Sequence, residues 1–413
     1  MLKYSNHFEC TSLDPQTLEK GFESVRREAD SGEVGYYHLP LTSQPIVEEL
    51  KSIYHDIDRR FNTIAIIGIG GSSLGIKAIE RLLRPSTPNA KKLIYLENSD
   101  PLSIMQQMQQ IDKSRTLFIV ISKSGGTVEA LSIFKRLIVS FDLSLKNSDQ
   151  IYIVSDEDSI LSRFADENKL RRFVIPSNVG GRFSVLSAVG LVPLTLAGFD
   201  TEAILKGAQS FLNQFWNRQE DHILQKAAFY VTNSDHYPIN VLFGYSDAFE
   251  EFGKWVVQLW GESLGKKNTQ GKRVGLTPIS LIGSVDQHSF LQLIIEGPLN
   301  KTLTFMHIEH SEDHLMIPEL SLKHLEKSDF VNGKSFNELI NAQCQATMQS
   351  VLQSGVSVDE IVWKQIDEGS VGEMILYYEL LTSLSGALFE INTYDQPGVE
   401  IGKKILGEYF SNQ

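Results

Sequence analysis

Between residues 63 and 175 the chain alternates short apolar runs with helical patterns, and that alternation limits the fold more than any other feature. Strand patterns fall at Thr63–Ile67, Lys92–Leu96, Leu117–Ile121, Ile151–Val154 and Arg172–Ile175. The central runs are continuously apolar, as strands are when helices cover both faces of a sheet. Helical periodicity lies between them, near Leu74–Leu83, Leu102–Met108, Thr127–Leu143 and Ser159–Asn168, with a lead-in helix over Pro45–Arg60. The pattern predicts an α/β fold built on a doubly wound parallel sheet. Ligands of such sheets bind at the carboxyl ends of the strands.

A second series follows a long helical stretch, Thr201–Asn233. Its strands are expected at Asn240–Gly244, Ile279–Ile282, Thr302–Ile308 and Glu360–Trp363. Its helices are expected at Ala248–Glu262, Gln287–Ile295, Phe336–Gln353 and Val371–Phe389, and a last helix runs from Gly398 to Tyr409. The halves share architecture without an obvious sequence repeat. Residues 1–45 read as a leader of mixed loops with one charged helix, Asp14–Ser31. The expected division is therefore a leader (1–45), a first domain (46–200), a second domain (201–390) and a C-terminal helix (391–413). No low-complexity linker separates the two large domains, so they are expected to pack tightly.

The 413 residues carry 38 basic and 51 acidic side chains, a net charge of −13. Such a surface repels nucleic acid and anionic membranes, and an anionic substrate needs a local positive pocket. Two cysteines, Cys10 and Cys344, offer no disulfide framework and point to a reducing compartment. The first residues lack the apolar core of a signal peptide, and no run approaches the roughly 18 apolar residues of a membrane span. A cytoplasmic protein is the expectation.

The chemistry starts at Gly68-Ile-Gly-Gly71-Ser72-Ser73, a glycine-serine loop between a strand and a helix. Its backbone N–H groups and the helix N-terminus make a phosphate seat. A dinucleotide fingerprint begun at Gly68 and Gly70 meets Ser73 at its third glycine, and no nucleotide-hydrolase P-loop is present. A second such loop, Ser122-Lys123-Ser124-Gly125-Gly126-Thr127, follows the third strand and emerges on the same sheet edge. Ordinary turns with capping serines are the bland alternative. In Val179-Gly-Gly-Arg182-Phe183-Ser184, two glycines hold an arginine where its fixed charge suits a developing oxyanion, although a lone arginine is more often an ion-paired one. Gln258 and Glu262 stand four apart on one helix face, with Gly265 as an expected C′ residue. A carboxylate at a helix C-terminus is expected to have a raised pKa, which suits a general base; a solvated glutamate is the usual alternative. His288 is expected in the first turn of a helix on the ligand edge, able to shuttle protons or merely to cap. The cluster His307, Glu309, His310, Glu312, Asp313 and His314 has some metal-like spacing but reads better as a polar loop, so no metal site is expected. In Asp395-Gln396-Pro-Gly-Val-Glu-Ile-Gly-Lys403, Lys403 sits where the helix dipole disfavours a cation unless an anion lies nearby.

Taken together, these segments resemble the glucose-6-phosphate isomerase family from about Asn62 to Lys404, in the family's order. The most specific are Val179–Ser187 and Asp395–Lys403. The resemblance implies two sugar-isomerase (SIS) domains, each a three-layer αβα sandwich on a mainly parallel sheet. It also implies a homodimer with active sites at the interface, His288 acting in the neighbouring subunit. By the family's pattern, Gly71 and Ser72 with Ser122 through Thr127 would hold the sugar phosphate, and Gln258 and Gln396 would contact substrate. Glu262 would move the proton between C1 and C2, Arg182 would stabilise the enediolate, and His288 and Lys403 would assist ring opening. No cofactor or metal is implied.

Three departures stand out. Phe183 replaces a tyrosine frequent in the family, Gly125-Gly126 replaces bulkier residues, and the chain is shorter than the long eukaryotic type. Two rival readings remain: a non-catalytic SIS-type sugar-phosphate regulator, which would not need Glu262, His288 and Lys403, and a nicotinamide oxidoreductase, which Ser73 disfavours although Glu97 ends the second strand as such an enzyme would require.

Overall fold

The computed structural model describes residues 2–8, 13–311 and 314–411. Cys10, Glu312 and Asp313 lie outside them. The strands in chain order are β1 (Leu2–His7), β2 (Thr63–Ile67), β3 (Lys92–Leu96), β4 (Thr116–Ile121), β5 (Ile151–Asp156), β6 (Arg171–Ile175), β7 (Ile239–Tyr245), β8 (Lys266–Lys267), β9 (Arg273–Val274), β10 (Thr277–Ile282), β11 (Lys301–Ile308) and β12 (Ser357–Trp363). The helices are α1 (Pro15–Ser31), α2 (Leu39–Thr42), α3 (Gln44–Arg60), α4 (Leu74–Leu83), α5 (Pro101–Met108), α6 (Val128–Phe141), α7 (Ile160–Asn168), α8 (Ala188–Ala197), α9 (Thr201–Trp216), α10 (His222–Thr232), α11 (Glu250–Leu264), α12 (Leu291–Ile295), α13 (Phe336–Gln353), α14 (Glu368–Phe389) and α15 (Glu400–Ser411).

Two five-stranded sheets result. The first has order β3-β2-β4-β5-β6 and is parallel throughout. The second has order β1-β12-β11-β7-β10, parallel except for β1. The continuous apolar runs divide by parity. On β2, Ile64 and Ile66 enter one core while Ala65 and Ile67 enter another with Ile133 and Phe134 of α6. Side chains alternate across a strand, so both faces must be apolar when both are covered. The inner face of the first sheet shares its core with α8, α9, α11 and α14, which pack toward the second sheet. The outer face of the second sheet carries Phe243 and Phe305 against Cys344 and Met348 of α13.

The chain departs from expectation at several places. Leu2–His7 is not loop but an edge strand, Leu2 opposite Trp363. Its Tyr4 hydroxyl donates to Glu373 Oε1 at 3.0 Å, and Asn6 donates to Gln225. The stretch from Thr201 to Asn233 is two helices, broken near Arg218, whose φ is +57°. The helix α8 has no counterpart in the expected pattern because it is buried on every side and so shows no amphipathic period. In place of a helix over Gln287–Ile295 there is a 3₁₀ turn, Val285–His288, and then the short α12. Gly265 ends α11 as expected, but with φ −75° rather than left-handed. The hairpin of β8 and β9 folds back there, and Gly275, at φ +146°, lies so close that a Cβ on it would stand 3.0 Å from the Gly265 Cα.

Candidate active site

The site forms where the carboxyl ends of β2 and β4 face the end of α11. After β2 the chain turns through Gly70–Ser72, a 3₁₀ turn, into α4. Gly70 has φ +60°, and a Cβ on it would stand 2.8 Å from Gln258 Nε2. A Cβ on Gly71 would stand 2.3 Å from the Gly181 carbonyl oxygen. Glycine is therefore required here for two close approaches, one to α11 and one to the arginine turn.

After β4, the Ser122 and Thr127 hydroxyls meet at 2.8 Å and the Gly126 N–H donates to Ser124 Oγ at 3.3 Å. Gly125 is left-handed at φ +68°, with Ser159 close behind it. Thr127 is the N-cap residue of α6, yet its side chain makes no capping bond. The first N–H groups of that helix thus lack a side-chain cap, as an anion seat needs. Lys123 borders the same concavity but is also anchored to backbone. Its ammonium donates to the carbonyls of Ser177, at 2.8 Å, and Val179. Burial lowers its pKa, partly offset by Asp156. Two of its three N–H groups are engaged, so it braces the loop that leads to Arg182 and keeps one donor for a ligand.

Arg182 occupies the centre, its side chain only 1% exposed. Nε donates to Ser263 Oγ at 2.7 Å. Nη1 donates to Gln396 Oε1 at 2.8 Å and approaches Glu262 Oε2 at 3.5 Å. Nη2 donates to the carbonyls of Thr393 at 2.6 Å and Asp395 at 3.2 Å. Burial lowers its pKa, opposed chiefly by the nearby Glu262 carboxylate. Phe183 is buried against Tyr36 and Tyr394, with ring centroids 5.0 and 5.4 Å away. In place of a tyrosine hydroxyl, its ring fills an aromatic slot behind the arginine.

Glu262 is 38% exposed, and the Gln258 amide donates to its Oε1 at 3.1 Å. The Gln258 oxygen is buried without a hydrogen-bond partner. Ile69, Gly71, Ser72, Lys123, Ser124, Thr127, Gly181, Tyr394, Gln396 and Lys403 border one concavity. Gln396 also borders the next, together with Glu262 and Lys266. Residues of both anion loops, Gln396 and Lys403 thus share one concavity, Glu262 borders the adjoining one, and Arg182 and Gln258 join this group by hydrogen bonds to Gln396 and Glu262. Lys403 pairs with Glu400 at 2.7 Å on the exposed α15.

His288 does not join this group. It is exposed at the end of the 3₁₀ turn after β10, and it borders neither concavity. In the polar cluster, His307 is committed to Asn341 Oδ1 at 2.9 Å and Glu360 Oε1 at 3.1 Å, and Glu309 pairs with Lys3. Among the described residues no group of three or more His, Cys, Asp and Glu is arranged to hold a metal ion. Two contributors leave no mark in the sequence. Ser263 and Lys266 flank the glutamate but carry no motif of their own, since their partners, a buried guanidinium for Ser263 and two backbone carbonyls and the Asp395 carboxylate for Lys266, lie far off in the sequence.

A model of one protein family, phosphoglucose isomerase, matches residues 54–411. The chain belongs to the phosphoglucose isomerase family. A glucose-6-phosphate isomerase of Campylobacter jejuni is 44% identical over 392 residues, 94% of this chain and 95% of that one. Among solved structures, a hypothetical protein of Thermus thermophilus superposes with a TM-score of 0.89 at 30% identity, over 99% of this chain and 100% of the other. A Chlamydia trachomatis glucose-6-phosphate isomerase shares the fold, with a TM-score of 0.83 at 23% identity over 99% and 88%. The chain has the phosphoglucose isomerase fold, two SIS-type sandwiches on mainly parallel sheets, as expected from the sequence.

Proposed function

We propose that this phosphoglucose isomerase family member interconverts glucose 6-phosphate and fructose 6-phosphate. The observation that carries the reading is the buried Arg182, held between Glu262 and Gln396 beside two anion loops. The phosphate would sit on the N–H groups and hydroxyls of Gly71, Ser72 and Ser122 through Thr127, at the starts of α4 and α6. That anchor fixes the far end of a six-carbon sugar, so that C1 and C2 reach Glu262.

Glu262 then removes the C2 proton of the open-chain aldose and returns it to C1. Electrons shift within the sugar: the C1 carbonyl is reduced while the C2 alcohol is oxidised, one proton passing from C2 to C1 and one leaving O2 as one arrives at O1, so the balance requires no external oxidant. Arg182 and the amide dipoles of Gln258 and Gln396 face the enediolate charge that develops between them. Lys403 is assigned to ring opening together with His288.

A homodimer belongs to the same proposal, since His288 would have to come from a second copy. Exposed apolar side chains support it. On α15, Ile401 is 70% exposed, with Ile405, Tyr409 and Phe410 also in solvent. On the arm between β11 and α13, Phe330 is 83% exposed, and Leu320 and Leu325 are exposed as well. Such patches mark interaction surfaces. The domain division of leader, two sandwiches and closing helix, and a cytoplasmic location, are kept as part of the proposal. Among the described residues no helix is long and apolar enough to cross a membrane.

Glucose 6-phosphate is added to the purified protein without cofactor, and fructose 6-phosphate is measured. Its appearance supports the isomerase reading. Tight sugar-phosphate binding with no product would favour a regulator instead.

A further inference from the structure

The segment Asn392–Gln396 links α14 to the turn before α15 and carries Gln396 into both concavities. Two cations grip it from below. Arg182 binds the carbonyls of Thr393 and Asp395. Lys266, in β8 just beyond α11, donates to the Asn392 carbonyl at 2.6 Å, to the Asp395 carbonyl, and to Asp395 Oδ1 at 2.8 Å. All three ammonium N–H groups are thus spent on one short segment. The Lys266 side chain is only 8% exposed. The Asp395 carbonyl is shared by both cations. Thr393 is wedged in place as well: a Cβ on Gly386 would stand 1.9 Å from its Oγ1.

We propose that Lys266 is a positioning residue for the isomerisation: by clamping the backbone of 392–395 it fixes Gln396 against Arg182 and sets where the chain leaves for Lys403. The geometry gives it no role as a phosphate ligand, because its donors already have partners and it lies on the glutamate side of Gln396. Its effect falls on the reacting end of the sugar and not on the anchored end. Two of its three contacts are to main-chain oxygens, so the Asp395 carboxylate is the lesser part of the clamp. This inference rests on the isomerase reading above.

The test compares wild type with Lys266→Met, Gln396→Ala and the double variant. Wild-type turnover of glucose 6-phosphate secures the underlying reading first; without it, that reading fails and not this one. K266M is expected to lose kcat by about 100-fold, the scale of a misplacement near 1 Å, with KM changed by less than about threefold. The double variant is expected to be no worse than Q396A alone, since Lys266 acts through Gln396 and its segment. Amide hydrogen exchange, which needs no turnover, is expected to speed up across 392–396 in K266M while the loops at 70–73 and 122–127 stay as in wild type. Unchanged kcat, fully additive losses, a change confined to KM, or unchanged exchange would each overturn the proposal. If K266M does not fold, Asp395→Asn takes its place. It is then expected to give a smaller loss in kcat, again absent on a Q396A background, and an additive loss would overturn the clamp.

Discussion

Arg182 has five hydrogen-bonding contacts and almost no solvent, so its charge is held in position before any substrate arrives. Preorganised charge of this kind is where most electrostatic catalysis comes from, because no reorganisation is required at the moment of reaction. Arg182→Ala is expected to lower kcat by about 100- to 1,000-fold, with a smaller change in sugar-phosphate affinity. Steady-state kinetics beside a binding titration checks this, and equal losses in both would make the arginine a plain binding residue. Glu262→Gln keeps the shape and the contact with Gln258 but cannot take a proton. It is expected to reduce turnover by at least about 100- to 10,000-fold while glucose 6-phosphate still binds. An active variant would remove Glu262 from the role of base. These two residues are legible in the sequence because each sits in a motif with a reason for its type. The brace made by Lys123 is not, because a lysine in a glycine-serine loop looks the same whether it points at a ligand or at Ser177.

Among the elements, the two anion loops and the arginine turn are joined through backbone. The carbonyl of Gly181 lies where a Gly71 side chain would begin. Gly71→Ala is therefore expected to force the turns apart, destabilise the fold by about 1–3 kcal/mol, and raise KM for glucose 6-phosphate. Thermal melts and initial rates measure the two effects together. Wild-type values for both would mean that the turns can part freely. Strands buried on both faces are readable because an unbroken apolar run between turn residues, too short for a helix, can be buried only when both its faces are covered. β1 is not, because its partner β12 lies at the far end of the chain and its own residues, Lys-Tyr-Ser-Asn, are polar. Pairing across such a separation leaves no local trace. α8 escapes for the opposite reason, being apolar all round. The His288 turn escapes because its residues and those of α12 together look like one helical period.

At the scale of the whole molecule, a buried polar knot ties α10 to the second sheet. Lys226 donates to Asp359 at 2.7 Å and to Thr304 at 2.8 Å, and Tyr230 joins both. His222 lies beside them, with Nδ1 2.9 Å from the Tyr377 hydroxyl, its ring stacked on Tyr4, and Nε2 3.7 Å from Asp359. Burial holds its pKa down to about 4; Asp359 opposes this and Lys226 adds to it. The unfolded chain takes up this proton near pH 6.5 while the folded one resists until about 4, so acidification across that window favours unfolding. The cost is on the order of 3 kcal/mol once pH 4 is reached, and it is absent above about pH 7. Urea denaturation from pH 7 to 4 is expected to show this loss, and His222→Phe is expected to flatten the slope whatever it does to the absolute stability. A slope unchanged by the substitution would assign the acid loss to other groups. Sedimentation of wild type is expected to give a dimer, and charges placed at Ile401 and Phe330 are expected to shift it toward monomer. The edge made by β1 and β12 has a temporal side. A ribosome releases Leu2 more than three hundred residues before Trp363, its opposite number. The β2–β6 sheet can be complete while the leading strand still waits with a row of unanswered amides. Synthesis of β12 therefore governs when the second sheet can close on β1, and until then β1 is open to wrong pairings.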